Sequence, residues 1–263
     1  DTTHAIQQLA KKHAKEMPAT KIMVGGSNGK TTTKEVTRTI LEGVSSTLAT
    51  PGNWNNHIGV PLTLLSLRPE HRYAVVEMGT NHPGEMGVLC DLIHTDIGLI
   101  TNIGKEHLEG FGSIEAIAKE ESEVFASVIK HNALAIVNLD DPWLASMSKR
   151  LSKTITLSLE NPASNHYASV TQEMPELAFE YFVNGISQGQ CTSPLSGKYN
   201  AYNLLFGAAV AQTIGMEPRQ AMDLACTYKP TNNRSEWKTI GNTQLFLDAY
   251  NANPSSMSAA IQS

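Results

Sequence analysis

A glycine-rich stretch followed by Lys-Thr is the part of this sequence whose residue types and spacing point most directly to chemistry. Glycines let backbone N–H groups crowd around phosphate oxygens, and a helix that begins there adds a favourable dipole. In such a loop Lys30 neutralises the β- and γ-phosphates of a nucleotide, and the Thr31 hydroxyl ligates Mg²⁺. The predicted phosphate loop comprises Gly26, Ser27, Asn28, Gly29, Lys30, Thr31 and Thr32.

The residues on either side of this loop support the interpretation. Residues 21–24 form a short apolar run typical of a strand, and residues 34–41 place their apolar side chains on one helical face. One departure is that the general P-loop pattern has glycine where Val24 stands, so the glycines here begin at Gly25 or Gly26. A chance Gly-Lys-Thr in an ordinary loop is the alternative, which the flanking strand and helix disfavour.

Glu77 is the next candidate, because it ends the apolar run that starts at Tyr73. A buried carboxylate is costly unless it is paired, and Mg²⁺ held by Thr31 would pair it. The alternative is a strand-end carboxylate that faces solvent or caps a loop. His107 lies in a glycine-rich loop just past another predicted strand, and from the residues alone a functional role and an ordinary surface position are equally supported.

The spacing of apolar runs predicts the elements that position these residues. Strands near 21–24, 46–50, 73–79, 97–102, 133–138 and 154–157 alternate with helices. Such alternation predicts an α/β fold with a mostly parallel sheet flanked by helices, and short alternating segments from 166 to 192 predict added antiparallel strands. We also predict one helix from Ser113 to about Lys130, and a last strand at 245–247. Ligands of such sheets gather at the carboxyl ends of the strands, where the P-loop, Glu77, His107 and Asp248 are predicted to meet.

Composition bounds the class of protein. The chain has 263 residues and a formal net charge of −5, which argues against a nucleic-acid partner that relies on a basic surface. Its three cysteines are far apart, so neither a disulfide framework nor a zinc cluster is expected and a cytoplasmic location is favoured. No apolar run approaches the ~20 residues of a membrane span. Without a signal-peptide pattern or an initiator Met, the N-terminus is interpreted as a cut or processed end.

Taken together, the motifs resemble those of the Mur ligases, the ATP-dependent amide ligases of peptidoglycan synthesis. The resemblance covers nearly the whole chain and rests on the runs at 26–32, 52–61, 77–85, 101–104, 107–113 and 248–257. The runs at 52–61, 77–85 and 248–257 are similar to the branch of the family that joins D-alanyl-D-alanine to UDP-N-acetylmuramoyl tripeptide. The resemblance therefore implies ATP and Mg²⁺ as cofactors, those two compounds as substrates, and a role in cell wall biogenesis.

The resemblance also implies a domain organisation. The family has a UDP-binding N-terminal domain, a central ATPase domain and a Rossmann-like C-terminal domain. Residues 1–20 then correspond to a lead-in helix and linker, 21–247 to the central ATP-binding domain, and 248–263 to the start of a truncated third domain. On this reading the chain is a monomeric fragment that lacks its flanking domains and cannot run the full reaction alone.

Site residues carry over from the family position by position. Lys30, His107 and Arg234 match catalytic residues, of which Arg234 is expected near the γ-phosphate. Asn200 and Asn203 match asparagines beside the adenine, and Asp248 matches a carboxylate near the ribose. Glu77 matches a ligand of one Mg²⁺ and His107 a ligand of a second. The loop with Asn55 and Asn56 is expected to approach the muramoyl substrate.

The chain departs from the family pattern at three positions. Tyr199 stands where the family usually has His, and Asn233 stands where a glycine precedes the arginine. Glu121 stands where the family usually carries a carbamylated lysine that helps hold the second Mg²⁺. Glu121 could supply a similar charge, Lys119 could take the role, or the segment could be a solvated helix face.

Three functions remain open at this point. The resemblance favours a ligase that activates a carboxylate as an acyl phosphate for attack by an amine. Another member of the superfamily, such as an earlier muramyl ligase or a folylpolyglutamate synthetase, is the nearest alternative, although the run Tyr-Asn-Ala-Asn-Pro at 250–254 argues against it. A P-loop module that binds nucleotide without catalysis is the alternative from a different class.

Overall fold

The computed structural model describes residues 1–230, 234–254, 257, 258 and 261. Its strands are β1 (Thr20–Gly25), β2 (Thr47–Ala49), β3 (Tyr73–Glu77), β4 (Ile97–Ile100), β5 (Leu134–Asn138), β6 (Thr154–Ser158), β7 (His166–Gln172), β8 (Leu177–Val183), β9 (Ile186–Ser193), β10 (Glu236–Ile240) and β11 (Thr243–Leu247). Its helices are α1 (Thr2–Glu16), α2 (Lys30–Glu42), α3 (Gly59–Leu65), α4 (Glu85–Asp91), α5 (Leu108–Phe111), α6 (Ile114–Glu121), α7 (Glu123–His131), α8 (Pro142–Ser148), α9 (Tyr199–Thr213) and α10 (Pro218–Ala225).

The described residues build one large sheet in the order β2-β3-β1-β4-β5-β6-β7-β8-β9. Neighbouring strands are parallel from β2 to β7, whereas β7-β8 and β8-β9 are antiparallel. The predicted α/β fold, with a mostly parallel sheet and added antiparallel strands, is confirmed. Within the described residues, no helix combines the length and the apolar character that a membrane crossing requires.

Alternating residues of the central strands build two cores, one on each face of the sheet. Ile22 and Val24 of β1 pack with α2, α9 and α10, while Met23 packs with α1, α3 and α4 on the other face. Both faces are covered, which explains why β1 and β3 are near-continuous apolar runs. The polar carboxyl ends of these strands are consequently left at one edge, beside the start of α2.

One predicted element is wrong. The single helix predicted from Ser113 to about Lys130 is two helices, since α6 ends at Glu121 and α7 begins at Glu123. At the junction the Ser122 hydroxyl donates to the Lys119 carbonyl oxygen at 2.6 Å, a local bond that competes with a continuous helical ladder. The break was not visible in the apolar periodicity, which continues across it.

The last predicted strand does not belong to the main sheet. β11 pairs only with β10, which the sequence reasoning missed, in a separate antiparallel hairpin of the described residues. Trp237 and Phe246 face each other across it with ring centroids 5.1 Å apart, a cross-strand pair that stabilises the hairpin locally. Asp248 therefore follows a hairpin strand, and the expectation that it ends a strand of the parallel sheet is wrong.

A buried histidine in the antiparallel part of the sheet predicts a pH dependence of stability. The ring of His166 is fully buried, with Nε2 2.8 Å from Gln212 Oε1 and Nδ1 2.7 Å from the Tyr181 hydroxyl. Burial lowers the pKa of His166 from 6.5 to about 4. The folded state favours the neutral ring of His166. The stability that this preference gives the folded protein is therefore fully present above pH 6.5 and is lost as the pH falls through the folded pKa.

We expect His166 to cost the wild-type protein about 2–3 kcal/mol of unfolding free energy between about pH 7 and about pH 4.5. Urea unfolding at both pH values, in the wild type and in His166→Gln, measures this difference. The variant should lose less stability than the wild type over the same interval. His4→Gln, on the exposed part of α1, serves as the matched control and should follow the wild type. Equal losses in His166→Gln and the wild type would contradict the assignment.

Candidate nucleotide-binding site

A cavity of about 700 Å³ opens at the carboxyl edge of the parallel strands, beside the start of α2. Most of the predicted site residues line it, together with polar residues from the ends of β4 and β5 and from the β10–β11 hairpin. The lining includes Ser27, Asn28, Gly29, Lys30, Thr31, Thr32, Asn55, Asn56, Glu77, His107, Asn200, Asn203, Arg234 and Asp248. The volume is in the range of ordinary small-molecule sites.

The phosphate loop is hydrogen-bonded to the two residues that follow β4. Asn102 Oδ1 accepts from the Asn28 backbone N–H at 3.1 Å, and Asn102 Nδ2 donates to the Asn28 carbonyl at 2.9 Å. The Thr101 hydroxyl donates to the same carbonyl at 2.6 Å. Gly29 then adopts a positive φ of 82° and caps α2 at its N-terminus. The first three residues of α2 line the cavity, so the start of this helix faces it, as an anion site requires.

Lys30 turns back over its own loop. Its Nζ donates to the carbonyl oxygens of Gly26 and Ser27, the latter at 3.1 Å, and lies 3.7 Å from Glu106 Oε2. Burial raises the pKa of Glu106. Sequence reasoning missed Glu106, which stands beside the singled-out His107 but carries no spacing signal of its own. The Lys30 ammonium thus begins among carbonyl and carboxylate oxygens, which phosphate oxygens can replace.

Thr31 and Glu77 come together as predicted. The Thr31 hydroxyl donates to Glu77 Oε1 at 3.1 Å, and Asn55 Nδ2 donates to the same oxygen at 2.8 Å. Glu77 is 1% exposed, and its Oε2 accepts no hydrogen bond from any residue that the structure describes. A hydroxyl and a carboxylate oxygen side by side at a phosphate loop are the ligand types that Mg²⁺ prefers. Metal binding by this pair stays a prediction.

Asn200 and Asn203 lie at the start of α9, against the phosphate loop. Asn203 Oδ1 accepts from the Thr33 hydroxyl at 3.0 Å, and Asn203 Nδ2 donates to Asn200 Oδ1 at 2.8 Å. A side chain at Gly29 would place its Cβ 2.6 Å from Asn203 Oδ1, so a substitution there would have to displace the Asn203 side chain as well as adopt a positive φ. Both asparagines line the cavity.

The β10–β11 hairpin brings Arg234 and Asp248 to the far side of the cavity. Asp248 Oδ1 accepts from the Ser235 backbone N–H at 3.0 Å, and the Arg234 guanidinium stacks 3.6 Å above the Tyr250 ring. Tyr199, which replaces the expected histidine, shares a 2.8 Å hydrogen bond with the Ser235 hydroxyl and so connects α9 to the hairpin. Asn233 lies outside the described residues.

The predicted second metal site is only partly assembled. His107 is exposed and lines the cavity with a positive φ of 45°, whereas Glu121 is 1% exposed and is absent from the lining. Glu121 Oε2 accepts the Gly26 N–H at 2.6 Å, and burial raises the pKa of Glu121 to about 7. Lys119 is exposed on α6. One of the alternatives for this segment was a solvated helix face. That alternative describes Lys119, which is exposed, but not Glu121, which is buried.

In the described part of the chain, no three His, Cys, Asp or Glu side chains stand close enough to hold a metal ion without further ligands. A cation bound at Thr31 and Glu77 would need other oxygen ligands, which nucleotide phosphates provide.

Three cavity residues at the end of β5 were also missed. Asn138, Asp140 and Asp141 line the cavity; Asp140 Oδ2 accepts from the Tyr202 hydroxyl at 2.8 Å, and Asp141 Oδ2 accepts from the Ile103 N–H at 2.7 Å. The strand-end reasoning that selected Glu77 would have selected them, had it been applied to the apolar run 133–138.

The fold and the cavity define a P-loop nucleotide-binding α/β domain. Residues 24–211 match the family described as the Mur ligase middle domain, and the chain belongs to that family.

Individual relatives extend the comparison. The chain is 35% identical to the UDP-N-acetylmuramoyl-tripeptide--D-alanyl-D-alanine ligase of Escherichia coli strain K12 and 36% identical to that of Bacillus subtilis strain 168. All of this chain is matched in both, but it spans only 58% and 56% of their lengths. The curated relatives are thus nearly twice as long as this chain.

Solved structures agree with this assignment. A crystal structure of MurF from Acinetobacter baumannii superposes on the whole chain with a TM-score of 0.91 at 30% identity, and the match covers 58% of that chain. MurF from Thermotoga maritima, solved in complex with ADP, gives 0.89 at 26% identity over 60% of its chain. A folylpolyglutamate synthetase variant from L. casei shares the fold at 0.72 and 14% identity.

Proposed function

We propose that this chain is the ATP-binding part of an ATP-dependent ligase that joins D-alanyl-D-alanine to UDP-N-acetylmuramoyl tripeptide in peptidoglycan precursor synthesis. The observation that carries the proposal is the contact between Thr31 and Glu77 at the mouth of a glycine-rich loop that also presents Lys30. The proposed substrates are inferred from the names of the two relatives, which match this chain along its whole length.

Mg²⁺ is the metal we propose for this site, and the residues fit it. Thr31 Oγ1 and the two Glu77 oxygens are hard ligands, and the buried Oε2 of Glu77 lacks a hydrogen-bond donor among the described residues. When bound there, a divalent cation screens the charge of the transferring phosphoryl group. We propose His107 and Glu121 for the neighbourhood of a second ion, with His107 on the cavity side and Glu121 beneath the loop.

The chain's own residues would mainly position the nucleotide and the acceptor and screen the charge of the phosphates. Lys30 would leave the Gly26 and Ser27 carbonyl oxygens to meet the β- and γ-phosphates, and Arg234 would approach from the β10–β11 hairpin. Asn200 and Asn203 are proposed to bound the adenine subsite, with Asp248 near the ribose. Asn55 and Asn56 are proposed to approach the muramoyl peptide, whose carboxylate becomes an acyl phosphate before the dipeptide amine attacks it.

We further propose that residues 21–247 form the central domain of a longer protein, preceded by a lead-in helix in residues 1–20 and followed by a third domain from 248. Of the last segment, the structure describes 248–254, 257, 258 and 261. Asn253 Nδ2 donates to Asn28 Oδ1 at 2.6 Å, so this segment already contacts the phosphate loop. A cytoplasmic location and a monomeric state complete the proposal.

The test has two stages. This chain should bind a fluorescent ATP analogue more tightly with Mg²⁺ than with EDTA. A version extended by the flanking domains should release ADP only when both UDP-N-acetylmuramoyl tripeptide and D-alanyl-D-alanine are present. Binding without any turnover in the extended protein would favour a non-catalytic P-loop module, and turnover without the dipeptide would favour another ligase of the superfamily.

A further inference from the structure

Lys34 is a fully buried lysine that does not line the phosphate-site cavity. It lies one helical turn after Lys30 on α2, and its side chain is 0% exposed. Lysine is almost never buried without partners, because moving an ammonium group out of water is costly. Its surroundings should therefore explain why it stands at this position.

The Lys34 ammonium contacts the loop between β2 and α3. Its Nζ donates to the Thr50 carbonyl at 2.7 Å and to the Gly52 carbonyl at 2.8 Å. A carboxylate of the same helix, Glu35 Oε1, lies 2.9 Å away, and Glu77 Oε2 lies 3.6 Å away. Lys34 thus joins α2, this loop and the end of β3 at one buried point.

The same loop holds Glu77 from two other directions. The Thr50 hydroxyl accepts from the Glu77 backbone N–H at 2.9 Å, and Asn55 Nδ2 donates to Glu77 Oε1 at 2.8 Å. Asn55 is in turn fixed by the Gly79 N–H, which donates to its carbonyl at 2.8 Å. Glu77 and residues 50–55 therefore share two hydrogen bonds, and the geometry of both depends on where Lys34 holds Thr50 and Gly52.

We propose that Lys34 is a positioning residue that fixes residues 50–55 and the Glu77 carboxylate as one unit, so that Glu77 presents its oxygens to a divalent cation beside Thr31. The inference rests on the proposed function, which assigns a cation to Glu77. It also connects the cation site to the Asn55 loop that is proposed to approach the acceptor. Residues that orient a metal ligand typically change metal affinity by about 10–100-fold when they are replaced.

The experiment compares nucleotide affinity with and without Mg²⁺ in Lys34→Met, which keeps the side-chain length and removes the charge and the donors. In EDTA the variant should bind the fluorescent ATP analogue within about twofold of the wild type, because Lys30 and the loop amides are untouched. The gain in affinity on adding Mg²⁺ should fall by about 10–100-fold. Lys12→Met, an exposed lysine on α1, should match the wild type in both conditions.

The outcomes separate the inference from the proposed function. A wild-type gain with Mg²⁺ in Lys34→Met, or an equal loss with and without Mg²⁺, would overturn the positioning role. A wild-type protein that binds the analogue but shows no gain with Mg²⁺ would overturn the assignment of a cation to Glu77, and the inference with it. Circular dichroism establishes that each variant is folded.

A second, milder variant covers the case in which Lys34→Met does not fold. Thr50→Val keeps the side-chain volume and removes the hydroxyl that accepts from the Glu77 N–H. It should also reduce the Mg²⁺-dependent gain while leaving the EDTA affinity unchanged, and an unaltered gain would overturn the proposal. Where Lys34→Met folds, its combination with Asn55→Ala should be non-additive, because both act on one carboxylate.

Discussion

Replacing Lys30 with alanine is expected to weaken nucleotide binding by a factor of about a hundred, corresponding to about 3 kcal/mol. The Lys30 ammonium reaches the carbonyl oxygens of the phosphate loop and lies 3.7 Å from Glu106 Oε2, so it is already held over the loop. A phosphate oxygen would meet the same ammonium with a charge-assisted bond that alanine cannot make. Titration of this chain with a fluorescent ATP analogue measures the loss.

The control for Lys30→Ala is Lys12→Ala, which removes the same charge from an exposed part of α1. It should leave nucleotide affinity unchanged, because a charge screened by solvent has little effect at a distance. Thermal unfolding of Lys30→Ala is needed as well, since Glu106 loses the ammonium group that lies 3.7 Å from its Oε2. An affinity equal to that of the wild type in a folded Lys30→Ala protein would remove Lys30 from the site.

The sequence predicted the parts of this fold that local patterns encode. Apolar runs located β1, β3, β4 and β5, and the glycine spacing located the phosphate loop between β1 and α2. The position of Glu77 was predictable too, because the carboxyl ends of parallel strands meet at one edge. In each case a short run of residues carries enough information to define the element or its end.

The parts that were missed depend on residues far apart in the chain. Glu121 accepts a hydrogen bond from Gly26, which is 95 positions away in the chain. This contact explains why Glu121 is buried and does not lie on a solvated helix face. From the sequence alone, Lys34 is indistinguishable from an ordinary lysine on a helix surface. Its burial depends on the loop at Thr50, whose carbonyl oxygen accepts from its ammonium group. The placement of β11 was wrong for a related reason. Its residues have a strand pattern, but it lies outside the main sheet because it pairs with β10. Local periodicity carries none of these pairings.

The second large effect is expected at Gly26, where alanine should destabilise the fold and disrupt the phosphate loop. Gly26 has a positive φ of 112°, which L-residues rarely adopt, and a Cβ placed there would lie 2.6 Å from the Thr101 backbone nitrogen. Neither problem can be relieved by a side-chain rotation, because Thr101 is part of the strand end that holds Asn28. Strain and overpacking together should cost about 2–5 kcal/mol of unfolding free energy.

Gly84→Ala is the matched control, because Gly84 also has a positive φ, of 91°, but its Cβ would meet nothing within 4 Å. Its cost should be limited to the backbone conformation, about 1–2 kcal/mol. Urea unfolding of both variants therefore separates strain from crowding, and nucleotide titration of the folded fraction tests the loop. Gly26→Ala should lose both stability and affinity, whereas Gly84→Ala should lose only stability. If Gly26→Ala is no less stable than Gly84→Ala and binds nucleotide normally, the close approach of Gly26 to Thr101 is not what shapes the phosphate loop.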